Sequence, residues 1–344
     1  MIRDHGALAW AMGSGSGRGA TPFSAAARAA VLRVFPRGQS GIDYDRPGGD
    51  PGLFGPDSAT WRIHGDFPGM LAGGLCALMM QTLHPRALAG VWDHSDFRRD
   101  MVGRLRRTTA FIAGTTYAGR AEADRLIARV AAIHAQVRGC TADGEPYAAD
   151  DPDLLTWVHT TEAYAFLHGF RAYGGIEVPD AMADRYYDEV RRVAEALGAR
   201  DVPGDRAAVD AYFEQVRPTL RVDARSREVL AVLRRIRLPV PGAVALRGLF
   251  IGAGAALLPP WAEAMLGFGP IRRGRHRLGA WSLGRLAPVF RAALPDGACA
   301  HACRRVGVAP ARMQRWPMEP ATVTAISPPI SADRRCDSKG RSGR

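Results

Sequence analysis

Apolar residues return every three or four positions from about residue 67 to residue 236, and that spacing predicts one helix after another with few strand signals between them. Residues 70–83 form an apolar run closed by His84-Pro85. The run is too short to cross a bilayer, so it reads as a helix buried within the protein. Ser95 is a candidate N-cap for a helix containing Asp96 and Phe97. Over residues 121–137, Leu126, Ile127, Val130, Ile133 and Val137 share one face, with Arg125 and Arg129 outside it and Gly139 as a stop. Residues 141–153 carry Asp143-Gly144, Pro146 and Pro152 and read as a loop or a short hairpin. A long helix is then expected from Asp153 to about Tyr173, followed by amphipathic helices over 180–197, 205–216 and 226–236. Residues 243–266 are again strongly apolar, but Arg247, Gly248, Gly252, Gly254 and Pro259-Pro260 interrupt them. A core helix, with one side free for a membrane or a greasy substrate, fits that stretch better than a transmembrane span.

The expected architecture is therefore all-α, with a single large helical domain over residues 61–317. A flexible arm precedes it at 1–60, rich in Gly, Pro and Ser and carrying a short helix over 23–34 that Pro36 ends. A basic, disordered tail follows at 318–344. The run Gly13 to Gly19 lacks the strand before it and the helix after it that a dinucleotide loop requires.

Composition removes several chemistries. Lys339 is the only lysine and no asparagine occurs, so a Schiff-base lysine, a phosphate-loop lysine and an Asn-dependent triad are excluded from the core. Abundant Ala, Arg and Gly match the bias of a high-GC bacterial genome. No G-x-S-x-G elbow is present, which weakens a hydrolase reading. The formal charge of +12 invites a nucleic-acid reading. From Phe268 onward, however, 14 arginines and Lys339 face only four acids, so the rest of the chain is nearly balanced. Such an end-of-chain excess reads as a solvated segment or one that touches a membrane surface, and no specific nucleic-acid partner is expected. Five scattered cysteines and no recognisable leader point to a reduced, cytosolic setting, with membrane association left open. Cys299-x-His301-x-Cys303 lacks a second half with zinc spacing and reads as two free thiols.

Against that background the informative positions are polar groups on segments that otherwise read as core. Arg104, Arg107 and Thr108 stand at i, i+3 and i+4, so one helical face could meet a cofactor carboxylate and a small polar ligand; it could equally pair with surface acids. His134 falls within an apolar stripe, as a hydrogen-bonded core residue or as a ligand. His159 and Glu162 lie one turn apart, a spacing used in carboxylate–histidine metal sites, with Glu162 placed to hold the imidazole proton. His84 closes the buried apolar run, whereas His64, His94 and His168 have no comparable context. Glu162 and Asp93 are the acids to consider as bases, and capping or solvation explains both equally well.

Taken in order, Leu83-His84-Pro85, Arg104 to Thr108, Ile133 to Gly139, Gly144, Tyr147, Asp151-Pro152 and Trp157-Val158-His159 resemble the catalytic domain shared by the MpaB-type oxygenases and the rubber oxygenases (latex clearing proteins), a family of b-type haem proteins. The resemblance covers roughly residues 60–265. It implies an all-α domain enclosing haem b, with dioxygen and a small apolar substrate as partners. In the best-known members an isoprenoid carbon–carbon double bond is cleaved oxidatively. His134 matches the proximal iron ligand, with His159 as the other candidate and His84 as a further pocket residue. Arg104 and Thr108 match residues lining the haem pocket, where Arg104 would steady a propionate or bound oxygen and Thr108 would hydrogen-bond distally. Position 107 departs from the rubber-oxygenase pattern: a lysine there can cap the iron, whereas the guanidinium of Arg107 stays protonated and does not readily ligate. No C-x-x-C-H is present, so the haem would be held without covalent attachment. The competing expectation is a non-catalytic helical protein that binds haem or a lipid.

Overall fold

The computed structural model describes residues 22–36, 38 and 40–317; the glycine-rich run at 13–19 and the segment 318–344 lie outside the described residues. Helices dominate in chain order: α1 (Pro22–Val34), α2 (Ala59–His64), α3 (Phe67–Gln81), α4 (Pro85–His94), α5 (Met101–Tyr117), α6 (Arg120–His134) and α7 (Pro152–Tyr173). They continue with α8 (Asp180–Ala196), α9 (Arg206–Val216), α10 (Ala224–Arg235), α11 (Ala243–Ala255), α12 (Pro260–Met265), α13 (Pro270–Ala293) and α14 (Ala298–Arg305). One antiparallel hairpin, β1 (Arg138–Cys140) with β2 (Pro146–Ala148), is inserted between α6 and α7, with Gly139 opposite Tyr147. The all-α expectation holds.

The apolar run becomes α3, which is apolar around its whole circumference and sits at the centre of the core. Glycines let its neighbours come close. A Cβ added to Gly169 of α7 would lie 2.2 Å from the Gly69 carbonyl oxygen, and one on Gly73 would lie 2.6 Å from that of Ala165. On another side of α3, a Cβ on Gly254 of α11 would meet the Ala72 carbonyl oxygen at 2.7 Å. At the next contact a Cβ on Gly279 of α13 would stand 3.0 Å from the Gly252 Cα. The result is a row, α7–α3–α11–α13, whose backbones touch wherever a side chain is missing.

Helix starts follow capping chemistry. Asp66 accepts from Gly69 N at 2.8 Å, and Asp223 and Ser226 form a reciprocal capping box at the start of α10. Ser226 also donates to the Thr82 carbonyl at 2.9 Å, fastening α10 to the end of α3. Asp223→Ala is expected to cost about 1 kcal/mol of stability, read as a lower urea midpoint at unchanged m-value.

Three local expectations need correction. Ser95 ends α4 rather than starting the next helix; the Asp96 carbonyl closes a turn on Arg99 N and Asp100 N, and Asp100 is the true cap, accepting from Gly103 N at 2.7 Å. The helix expected to reach Val137 stops at His134, because Val137 and Ala149 begin the hairpin ladder, and Ile133 is left 52% exposed instead of facing the core. The basic segment is also more than a tail. Arg291 of α13 donates to Asp66 at 2.9 Å and to the Tyr173 carbonyl at 2.5 Å. Arg305 of α14 donates to the carbonyls of Tyr44, Asp50 and Tyr117. These guanidiniums hold the C-terminal helices against the N-terminal ones. Within the expected arm, α1 packs on α13, and Arg28 pairs with Asp296 at 2.8 Å. Among the described residues no helix is long and apolar enough to cross a membrane.

Candidate active site

The hairpin of α5 and α6 sets the register of the candidate residues. Gly114 faces Leu126, whose Cδ1 would lie 2.3 Å from a Cβ at 114. Arg104, Arg107 and Thr108 lie on α5, and His134 is the last residue of α6. The three α5 residues do not act as one face: Arg104 turns inward, while Arg107 and Thr108 are exposed.

Inside, Arg104 meets the charge of Glu162 on α7. Burial pushes the Arg104 guanidinium down to about 10, with Glu162 opposing and Arg107 reinforcing the shift. Burial pushes the Glu162 carboxyl up to about 7, against the pull of Gln81 and Arg104. One helical turn before it, burial drives His159 down to about 4, so its imidazole is neutral. His64 of α2 lies beside it, lowered to about 3 by burial and by the neighbouring His159. The His64 ring is fixed at both nitrogens, Nδ1 to Thr116 Oγ1 at 2.8 Å and Nε2 to the Tyr186 hydroxyl at 2.9 Å. Arg104, His64, His159 and Glu162 are surrounded by protein yet keep some accessible surface, as side chains do when they face an internal cleft.

This grouping changes two expectations. No hydrogen bond joins His159 to Glu162; being one turn apart on α7 puts them in the same cleft without pairing them. His64, which has no comparable context in the sequence, belongs to the cluster together with Tyr186. Helix α2 is six residues long, less than two turns, and carries no periodicity to read.

His134 stands apart from this cluster at the end of α6. Its Nδ1 is buried with no hydrogen-bond partner, and burial lowers its pKa while Asp150 opposes the shift. A neutral imidazole with an uncommitted buried nitrogen has the chemistry of a metal ligand. His84 has a different task. It caps α4, with Nδ1 3.5 Å from Ala87 N, and its ring lies against Trp157. Asp93 accepts from the Tyr147 hydroxyl at 2.7 Å and so supports the hairpin. His301 is held by Asp45 at 2.6 Å, and Cys299 hydrogen-bonds to Cys303, so that motif does not present three converging donors. Among the described residues no group of three His, Cys, Asp or Glu side chains is arranged to hold a bare metal ion.

The raised pKa of Glu162 fixes the sign of a pH effect. A carboxyl that takes up its proton more readily when folded contributes stability below its usual value near 4.5 and loses it as pH rises through about 7. The loss is on the order of 2–3 kcal/mol. Urea unfolding of wild type and Glu162→Gln at pH 5 and pH 8 is expected to show the variant gaining on wild type at the higher pH. Comparing the two proteins cancels the histidines; equal shifts would mean that Glu162 is ionised throughout.

A family model described as "ER-bound oxygenase mpaB/B′/Rubber oxygenase, catalytic domain" matches residues 61–292. No curated protein and no solved structure matches the chain.

Proposed function

Because the chain belongs to the family of the mpaB/B′ and rubber oxygenase catalytic domain, an oxygenase-type domain, we propose that it is a haem b-dependent oxygenase acting on an apolar substrate. The observation that carries the cofactor assignment is the buried, unpartnered Nδ1 of His134 at the end of α6. Buried polar atoms normally have partners, and an imidazole held neutral by burial suits iron. His134 would hold the iron, and Arg104, whose acidic neighbour Glu162 titrates near neutral pH and so offsets its charge only in part, would hold a propionate. When bound, haem supplies the activation of dioxygen and the oxidation of the substrate, which we take to be cleavage of a carbon–carbon double bond, as in an isoprenoid chain.

The protein's own contribution is access, polarity and protons. Val102 and Leu105, on the same helix as Arg104, line a cavity of about 70 Å³ together with Val31, Phe67, Leu75 and Phe250, with Arg247 its one charged lining residue. Such a lining excludes water and favours a hydrocarbon chain. Glu162, titrating near neutrality in the cleft, is able to hold or release a proton there, while His64 and His159 stay neutral donors or acceptors.

An absorption spectrum of protein expressed with a haem precursor, before and after dithionite, tests the reading. A Soret band with one b-type haem per chain is expected, together with oxygen uptake on an isoprenoid. A colourless protein that takes up no added hemin would overturn the cofactor assignment. Stoichiometric haem without oxygen uptake on any isoprenoid would leave a binding protein in place of the enzyme.

A further inference from the structure

A second cavity, of about 250 Å³, opens between α10, α11 and α13 and shares no lining residue with the Arg104 cluster. Its walls are apolar, formed by Met79, Leu230, Leu233, Ile251, Ala255 and Phe268. Its mouth is cationic: Arg234, Arg272 and Arg275 stand there with His276. Among the described residues none of these three arginines has an acid within ion-pair distance. The nearby Glu263 is engaged by Arg273 at 3.3 Å. Burial lowers the pKa of Arg234, and the like charges of Arg272 and Arg235 add to the shift. His276 packs edge-on against Phe268, and its Nδ1 is buried without a hydrogen-bond partner.

Three exposed guanidiniums stand at one rim with no acid paired to them among the described residues, and an orphaned buried nitrogen forgoes a hydrogen bond. An oxyanion relieves both, since charge-assisted bonds to arginine are the strong ones. The apolar walls behind the rim call for a hydrocarbon on the same ligand. We propose that this cavity binds a single-chain anionic amphiphile, with its carboxylate or phosphate head at Arg234, Arg272, Arg275 and His276 and its chain along Leu233, Ile251 and Phe268. The proposal does not require haem or Arg104, although Ile251 also lines the apolar cavity beside Val102 and Leu105.

Gly248 supplies a clean test. It lines the cavity, and a Cβ built on it meets nothing within 4 Å, so Gly248→Leu is expected to take up cavity space without a backbone clash and to improve the helix propensity of α11. Calorimetry on the full chain would use dodecanoate, dodecyl phosphate, dodecanol and inorganic phosphate below micellar concentration, with anionic vesicles as a further arm. Dodecanoate and dodecyl phosphate are expected to bind, and their ratio tells which head the rim prefers. Dodecanol and inorganic phosphate should bind at least about tenfold more weakly, since each lacks one half of the recognition. Gly248→Leu should abolish binding, and Arg272→Gln/Arg275→Gln should weaken it by about tenfold or more, both with unchanged circular dichroism. Four results would overturn the proposal: dodecanol binding as well as dodecanoate, inorganic phosphate binding as well as dodecyl phosphate, binding that survives both variants, or binding to vesicles alone.

Discussion

His134→Ala is expected to purify with its helical circular dichroism intact and with less than about a hundredth of the wild-type haem affinity. The magnitude follows from metal-site energetics: removing a residue that merely supports a ligand already costs about 10–100-fold in affinity, so removing the ligand costs more. The fold should tolerate the change. His134 is the last residue of α6, its side chain is only partly buried, and its ring makes no hydrogen bond through Nδ1 that alanine would break. His159→Ala is the discriminating partner. His159 lies in the cleft with His64 and Glu162, so its loss should alter turnover and leave most of the haem in place. If His159→Ala loses the haem and His134→Ala keeps it, the iron belongs on α7 and the assignment made here is wrong. Added imidazole should restore a Soret band to whichever variant has lost the ligand, a signature that general destabilisation would not give.

How much of this was legible in the sequence differs between fold and site. Helix positions were readable because apolar spacing and caps are local: Pro36, Asp153 and the Pro259-Pro260 pair all mark real boundaries or neighbours of them. Ser95 misled because Ser is a good cap in isolation, while the turn closed by the Asp96 carbonyl shifted the start to Asp100. His159 and Glu162 were legible as a pair on one helix, and Arg104 through its place in a family pattern. The approach of Arg104 to the charge of Glu162 across α5 and α7, and the seating of His64 between Thr116 and Tyr186, depend on segments more than 50 residues apart meeting in space. No one-dimensional spacing encodes that. The basic cavity mouth was hidden for the same reason: Arg234 and Arg272 come from different helices, and charge counting placed the second of them in a solvated C-terminal excess.

Two glycine-to-alanine changes on the central helix pair are expected to move stability in opposite directions. At Gly169 the added methyl would sit 2.2 Å from the Gly69 carbonyl oxygen and 3.0 Å from its carbon. Both are backbone atoms, so no side chain can rotate away; α3 and α7 must separate, opening gaps along a core that is packed at crystal-like density. A cost of about 3 kcal/mol is expected after allowing for the gain of roughly 1 kcal/mol that alanine brings to a helix interior. At Gly74, next to Gly73 but about 100° round α3 from it, the same methyl would meet only the Phe166 ring edge at 3.8 Å, an ordinary contact. There the propensity gain stands alone, and Gly74→Ala should stabilise by about 0.5–1 kcal/mol. Urea midpoints measure both. Because Gln81 sits at the end of α3 and His159 and Glu162 on α7, the separation at Gly169 should also widen the cleft and reduce haem retention, whereas Gly74→Ala should leave it unchanged. Destabilisation of equal size in the two variants would mean that the close approach of α3 and α7 does not hold the core together, and that the cleft is positioned by contacts elsewhere.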